Sequence, residues 1–395
     1  MRTGFLLVSI ALLTNTFAVA DTWEQTYGTD LPEQSLFSLV TEDGGILTCG
    51  MFIIDVSYSI VSSEGPGGLD CMLVRTDANN EILWEGDYFS GPWPDLAVAG
   101  VETEDGCFVL AGVTTTMEEG QQNWIFKVDD EGEIVWDKTL GTDYDDWTYD
   151  MIETADGGFV LAGYVDSLNG NGSVISLLKA DNQGNELWNR QFPAAGTGMA
   201  EAVMEIDNGD FLVTGYVVAG ESDNAIPFLL RTDDAGNEIW MEIIDVQPGY
   251  YYPIDMTMVN NGNIIIAGYC ESIKGGYDFW IGEVTIDGDL ISQSTFGGEM
   301  DDMAFSVTSC SRGFVVAGST ASEGAGGNDI WLLCIDDSGE EVWSVTHGGV
   351  GNEGAEDIIK SPGGGFIVSG YTASWGAGNT DIWVLKVGEE GQMEE

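Results

Sequence analysis

Thr232-Asp233-Asp234-Ala235-Gly236-Asn237-Glu238-Ile239-Trp240 decides how this 395-residue chain is read. After Thr232 an Asp begins the turn, a Gly stands in the middle, and an apolar pair ends it on Trp. The same order recurs at Asp77 to Trp84, Asp129 to Trp136, Asp181 to Trp188 and Asp336 to Trp343, with Asn80 in place of Gly in the first copy. Ser292 holds the Trp register in one further unit. Successive markers stand 52, 52, 52, 52 and 51 residues apart. A second marker keeps a similar period: Gly50, Gly112, Gly163, Gly215, Gly268, Gly318 and Gly370 each close an apolar run. Two independent markers at one spacing define seven repeats.

Each repeat reads as four short strands. In the third, Trp147 to Glu153 alternates polar and apolar, and Ala155-Asp156-Gly157-Gly158 makes a turn. Phe159 to Tyr164 is a buried run, and a Gly/Asn loop follows at Asn169 to Gly172. Val174 to Lys179, a second turn at Asp181 to Gly184, and Glu186 to Phe192 complete the unit. β-branched and aromatic runs separated by turn residues predict antiparallel hairpins. Four strands in seven repeats predict an all-β fold, a single seven-bladed β-propeller of four-stranded antiparallel blades. The last repeat stops before its fourth strand, while residues 22–28 (TWEQTYG) resemble one. That strand is expected to pair into the last blade, closing the ring and removing an open edge.

The stretch 232–240, together with Gly-Gly-Phe-Val-Leu-Ala-Gly at 157–163, resembles the repeats of secreted bacterial and archaeal β-propeller proteins of mostly unassigned function. It is distantly similar to the tryptophan-docking repeat of quinoprotein propellers and to the Asp-box hairpin of sialidases. The resemblance spans nearly all of residues 22–391 and implies a fold; motifs of this kind carry no activity by themselves.

Residues 1–20 read as a signal peptide. Arg2 supplies a positive start, Phe5 to Leu13 is a short apolar run, and Ala18-Val19-Ala20 is a small-x-small cleavage site. The propeller is assigned to 21–391 and an acidic tail to 392–395. Residue 21 is not Cys, so no lipid anchor is expected, and no later run is apolar enough for a membrane span. The expected location is secreted or periplasmic, and the expected state is a monomer. The chain carries 67 Asp+Glu against 11 Lys+Arg, a net charge of −56. Such a field repels phosphate and argues against nucleic acid as a partner. An extracellular protein or a glycan is expected instead.

Asp at the start of each marker turn reads as a cap for turn amides. Arg75, Lys127, Lys179, Arg231 and Lys386 recur nine places before the marker Trp position, and cross-strand pairing with residues such as Glu186 and Glu238 is expected. Candidate ligand-face acids are Asp70, Asp278, Asp329 and Asp381, each ending a Gly-rich loop. Asp145, Asp146, Asp301 and Asp302 are candidate calcium ligands, because hard cations take oxygen donors. Cys49 and Cys71 are the candidate disulfide among six cysteines of an exported chain. His347 is the only histidine and has no nucleophile motif beside it, so no catalytic residue is assigned.

Three functional readings follow. The first is a non-enzymatic binding or interaction module with an acidic, calcium-stabilised loop face. The alternative is a carbohydrate-active hydrolase or lyase using a carboxylate pair on that face. The third takes the acidic surface as an adaptation to salt and solubility alone.

Overall fold

The computed structural model describes residues 22–393, apart from 30, 54–68, 89–93, 117–119, 167–171, 195, 220–223 and 247–248. The expected signal peptide therefore lies outside the described residues. Among those described there are 28 strands and no helix. Consecutive strands pair antiparallel in fours, here called sheets I to VII in chain order. Sheet I begins at Glu33, II at Asp95, III at Asp146, IV at Gly196, V at Tyr251, VI at Asp302 and VII at Glu353. A single parallel bridge, Asp70 with Asp95, joins sheets I and II. No sheet closes on itself. The N-terminal strand, Trp23–Tyr27, pairs antiparallel with Asp381–Val387 as the fourth strand of sheet VII, setting Trp23 opposite Lys386.

Burial follows position within each sheet. Second and third strands, such as Phe159–Asp166 and Ser173–Ala180, are almost wholly buried, as apolar runs covered on both faces should be. Fourth strands are the most exposed: Ile134–Leu140 has no fully buried side chain. The core is divided between neighbouring sheets. Phe108, Phe126, Leu47 and Leu73 join I and II, and Phe211, Phe228, Leu177 and Val160 join III and IV. Sheets VII and I share a cluster containing Tyr27, Ile382, Ile46 and Met72. First strands of consecutive sheets contact one another, and that of sheet VII also contacts that of sheet I.

The marker stretch locks one sheet to the next. Gly132, Gly184, Gly236 and Gly288 have positive φ, and beside them lie Trp84, Trp136, Trp188 and Trp240 of the preceding sheet. A Cβ at Gly184 would come 2.6 Å from the Trp136 ring, so glycine is required twice, by backbone angle and by contact. Each marker Asp caps its own turn. Asp181 Oδ1 accepts the amides of Gln183 and Asn185, both at 2.9 Å, and Asp77, Asp129, Asp233 and Asp336 do the same in their turns. The recurring bases do not pair with Glu186 or Glu238. Lys127, Lys179, Arg75 and Arg231 reach Asp105, Asp156, Asp43 and Asp210 in the turn between the first and second strands of the same sheet. That turn lies across the second strand, on the side away from the fourth-strand glutamates.

Candidate active site

Every first strand carries a one-residue β-bulge at the same place. Pairing with the second strand skips Leu36, Val98, Tyr149, Glu201, Ile254, Phe305 and Glu356. A bulge leaves one residue out of the ladder and re-aims its side chain. Here the skipped residues and their neighbours line one cavity of about 330 Å³, to which all seven first strands contribute. The size suits a small ligand or part of a chain.

Five carboxyl groups line this cavity: Asp150, Glu201, Asp255, Glu356 and Asp357. Their side chains are half-buried, yet protein surrounds them, and desolvation raises every carboxyl. Glu201 is pushed up to about 8 by burial and makes no hydrogen bond to a described residue. Glu356 rises to about 7, also by burial, against a 2.6 Å hydrogen bond from Gln34 Nε2. Asp150 rises to about 6 and Asp255 to about 7, with burial first in both.

The three aspartates also tie sheets together. Asp150 Oδ2 accepts Val203 N at 2.8 Å, Asp255 Oδ2 accepts Val307 N at 2.8 Å, and Asp357 Oδ2 accepts Ser38 N at 3.0 Å. Ser306 Oγ stands 3.1 Å from both Asp255 Oδ2 and Asp357 Oδ1. A hydroxyl has one proton to donate, so two full hydrogen bonds at Ser306 require a proton on one carboxyl. The Asp255 carboxyl, raised to about 7, suits that role.

Aromatic side chains gather against Tyr149 and Phe305 of the cavity lining. Trp147, Tyr149 and Tyr164 of sheet III contact one another, with ring centroids 5.9 to 6.4 Å apart. Tyr216 of sheet IV meets Tyr252 of sheet V edge-on at 5.2 Å, and Tyr269 meets Tyr252, Tyr277 and Phe305. Glu201 interacts electrostatically with the phenols of Tyr149, Tyr164, Tyr216 and Tyr269. Burial raises all four, Tyr269 to about 12, so they remain neutral hydrogen-bonding groups with apolar faces. The result is an aromatic basin beside a carboxyl group that is protonated at neutral pH. It can bind an uncharged polyhydroxylated ligand and deliver a proton to it.

The residues expected from sequence lie elsewhere, at the junctions between sheets. Asp145 Oδ1 accepts Gln121 N at 2.8 Å, and Asp301 Oδ1 accepts Tyr277 N at 3.1 Å, so each fastens a loop to the preceding sheet. Asp146 and Asp302 are fully buried at the starts of their strands. The four do not converge, and among the described residues no group of three or more His, Cys, Asp or Glu side chains could hold a metal ion. Asp278, Asp329 and Asp381 face acids of the next sheet, Asp302, Glu353 and Glu33, while Asp70 bridges to Asp95. Cys49 and Cys71 are free thiols with Sγ atoms 3.5 Å apart, so the expected disulfide is not formed. His347 Nε2 lies 2.7 Å from the Gly391 carbonyl, and burial lowers its pKa.

The cavity carboxyls were missed because each stands in a strand that otherwise alternates in the ordinary way. A signal was present: Asp150, Asp255 and Asp357 each stand 13 places before the marker glycine, and Glu201 and Glu356 stand 14.

No family model and no curated protein matches the sequence. Solved structures do. An ulvan lyase of a polysaccharide lyase family, bound to a GlcA/Rha3S saccharide, superimposes at a TM-score of 0.60 with 10% identity, over 93% of this chain and 97% of that one. The β-propeller domain of the Trilobed protease of Pyrococcus furiosus gives 0.50 with 12% identity over 94% and 97%. The Fusarium graminearum α-L-arabinofuranosidase with arabinobiose gives 0.50 with 8% identity over 75% and 93%. The non-enzymatic module expected from sequence is corrected here. Two of these three structures are of carbohydrate-active enzymes, a finding that goes against that expectation. At such low identity the likeness establishes the architecture: the chain is an all-β protein with a β-propeller fold.

Proposed function

We propose that the chain is an exported, seven-bladed propeller, closed by its N-terminal strand, that hydrolyses glycosidic bonds in an uncharged glycan. The observation that carries this reading is Glu201, a carboxyl raised to about 8 by burial beside a basin of tyrosines. Glycoside hydrolysis needs a carboxylic acid that is protonated at working pH and an ionised carboxylate nearby. Glu201 fills the first role. It donates its proton to the leaving glycosidic oxygen as the C–O bond breaks; a water then adds to the sugar carbon and returns a proton to Glu201. Asp150, from the adjacent sheet and held nearer the ordinary range at about 6, is the ionised partner. Its two backbone amide contacts fix its orientation toward the positive charge that develops on the sugar ring. Tyrosine faces stack on the sugar, and their hydroxyls bond to it.

Hydrolysis is favoured over elimination. A lyase acting on a uronate must neutralise the substrate carboxylate, and no Lys, Arg or His is among the described residues that line the cavity. A chain of net charge −56 would also repel an anionic polysaccharide. Seven first strands around one cavity and a cluster shared by sheets VII and I support the closed ring. Residues 1–20 support export.

The test is reducing-sugar release by the purified chain across a panel of neutral and anionic polysaccharides. Activity on a neutral glycan should fall at least about 100-fold in Glu201→Gln, the usual cost of losing a general acid. Unchanged activity in that variant, or products bearing the unsaturated bond of a lyase, would overturn the assignment.

A further inference from the structure

We propose that the chain binds divalent cations of the calcium class at two junctions between sheets, at Asp329 with Glu353 and at Asp278 with Asp302. Asp329 is 1% exposed and Glu353 is fully buried. Glu353 uses both oxygens: Oε2 accepts Gly349 N at 2.8 Å, and Oε1 accepts Thr372 Oγ1 and Ala373 N at 3.2 Å. Asp329 Oδ2 accepts Ala325 N at 2.8 Å, but its Oδ1 is buried without a hydrogen-bond partner. That orphaned oxygen and Glu353 Oε2 both lie beside Gly348. Beside Gly348, a Cβ would lie 1.8 Å from Asp329 Oδ1 and 2.9 Å from Glu353 Oε2.

The neighbouring junction repeats the arrangement. Asp278 Oδ2 accepts Ser272 Oγ, while Oδ1 is buried without a partner. Asp302 Oδ1 accepts Thr320 Oγ1, and Oδ2 accepts Gly298 N at 2.7 Å. Both carboxyls converge beside Gly297, where a Cβ would lie 2.2 Å from Asp278 Oδ1 and 2.7 Å from Asp302 Oδ2.

None of the four acids is in an ion pair among the described residues; Lys274 Nζ, beside the second junction, donates to the Gly297 carbonyl at 3.1 Å. Two facing carboxylates, buried and with one oxygen of each pair lacking a partner, are costly unless a positive charge joins them. The donors are all oxygen, which selects a hard cation. Two carboxylates match a charge of +2. Backbone carbonyls and water would complete the shell, which implies weak sites with Kd on the order of 10⁻⁴ to 10⁻³ M.

The experiment is equilibrium dialysis of the purified chain with Ca²⁺ at fixed high NaCl, which screens the exposed carboxylates. It is paired with thermal unfolding in EDTA, Ca²⁺ or Mg²⁺. Asp329→Asn and Asp278→Asn keep shape and give each orphaned position an amide donor. Asp234→Asn, in an exposed turn, is the control. The wild type should bind about two more ions than the double variant, and each single variant should lose about one. Ca²⁺ should raise the wild-type midpoint more than Mg²⁺ does, and should not raise that of the double variant. Equal binding by wild type and double variant would overturn the proposal. So would a double variant that melts higher than wild type while neither responds to Ca²⁺, which would mean that each pair shares a proton. Should the variants fail to fold, Tb³⁺ emission excited through the wild-type tryptophans, and its displacement by Ca²⁺, decides the matter; no emission counts against the sites. These readouts do not depend on glycan cleavage.

Discussion

The indole Nε1 of Trp84 donates to the backbone carbonyl of Asp130 at 2.8 Å, so the outer strand of one sheet is fastened to the turn of the next. Trp136, Trp188 and Trp240 pack on the equivalent glycine turns. Replacing Gly184 with Ala should cost about 2 kcal/mol or more. The Cβ adds left-handed backbone strain and meets the Trp136 ring. Urea unfolding measures it, and a loss below about 0.5 kcal/mol would show that the contact does not hold the sheets together.

Glu201 gives the pH profile a definite sign. An acid must be protonated to work, so kcat/KM should fall as pH rises through about 8. The lower limb follows ionisation of Asp150 near 6. An alkaline limb in the ordinary carboxylate range would assign the proton donor elsewhere.

The tyrosines should act on binding. Tyr252→Ala and Tyr269→Ala are expected to raise KM by about tenfold each with kcat little changed, while Tyr269→Phe, which keeps the stacking face, should change KM less. Equal loss in Tyr269→Phe and Tyr269→Ala would mean that the hydroxyl, not the ring face, makes the contact.

Stability should pass through a maximum at mildly acidic pH. Asp150, Asp255, Glu356 and Glu201 have raised folded values of about 6, 7, 7 and 8, so they favour the folded state below their unfolded range and lose that contribution as pH rises through those values. Asp43, Asp105 and Asp156, lowered to about 2 by hydrogen bonds and by Arg75, Lys127 and Lys179, contribute above the unfolded range and lose it as pH falls toward 2. The maximum is therefore expected at about pH 4 to 5. Asp255→Asn should flatten the alkaline side of a denaturation-midpoint curve, and an unchanged slope would exclude Asp255 as a source.

Cys49 and Cys71 are fully buried and not joined by a disulfide. In denaturant the chain should titrate as six thiols, with these two unreactive in the native state. Fewer than six would show that a pair has oxidised.

The repeat, its turns and the strand completing sheet VII were legible because each depends on local chemistry: a capping Asp, a left-handed Gly, a docking Trp. Partners across sheets were not. Lys179 reads equally well as a partner for Glu186 or for Asp156, and only the fold of the turn selects Asp156. The pairing of Asp329 with Glu353 joins different repeats, so spacing within one repeat could not reveal it. Glu201 was hidden for another reason. It occupies a bulge, and nothing in a six-residue window tells a bulged position from a paired one.

That bulge separates two tasks that most strands must combine. The ladder residues on either side carry the folding of each sheet, while the skipped residue carries none of the pairing. Leu36, Val98, Tyr149, Glu201, Ile254, Phe305 and Glu356 thus form a dial of seven letters, each of which can be turned without breaking the ladder of its own sheet. A gene built by copying one repeat would inherit such a dial set uniformly, and its chemistry would begin with the first letter to differ.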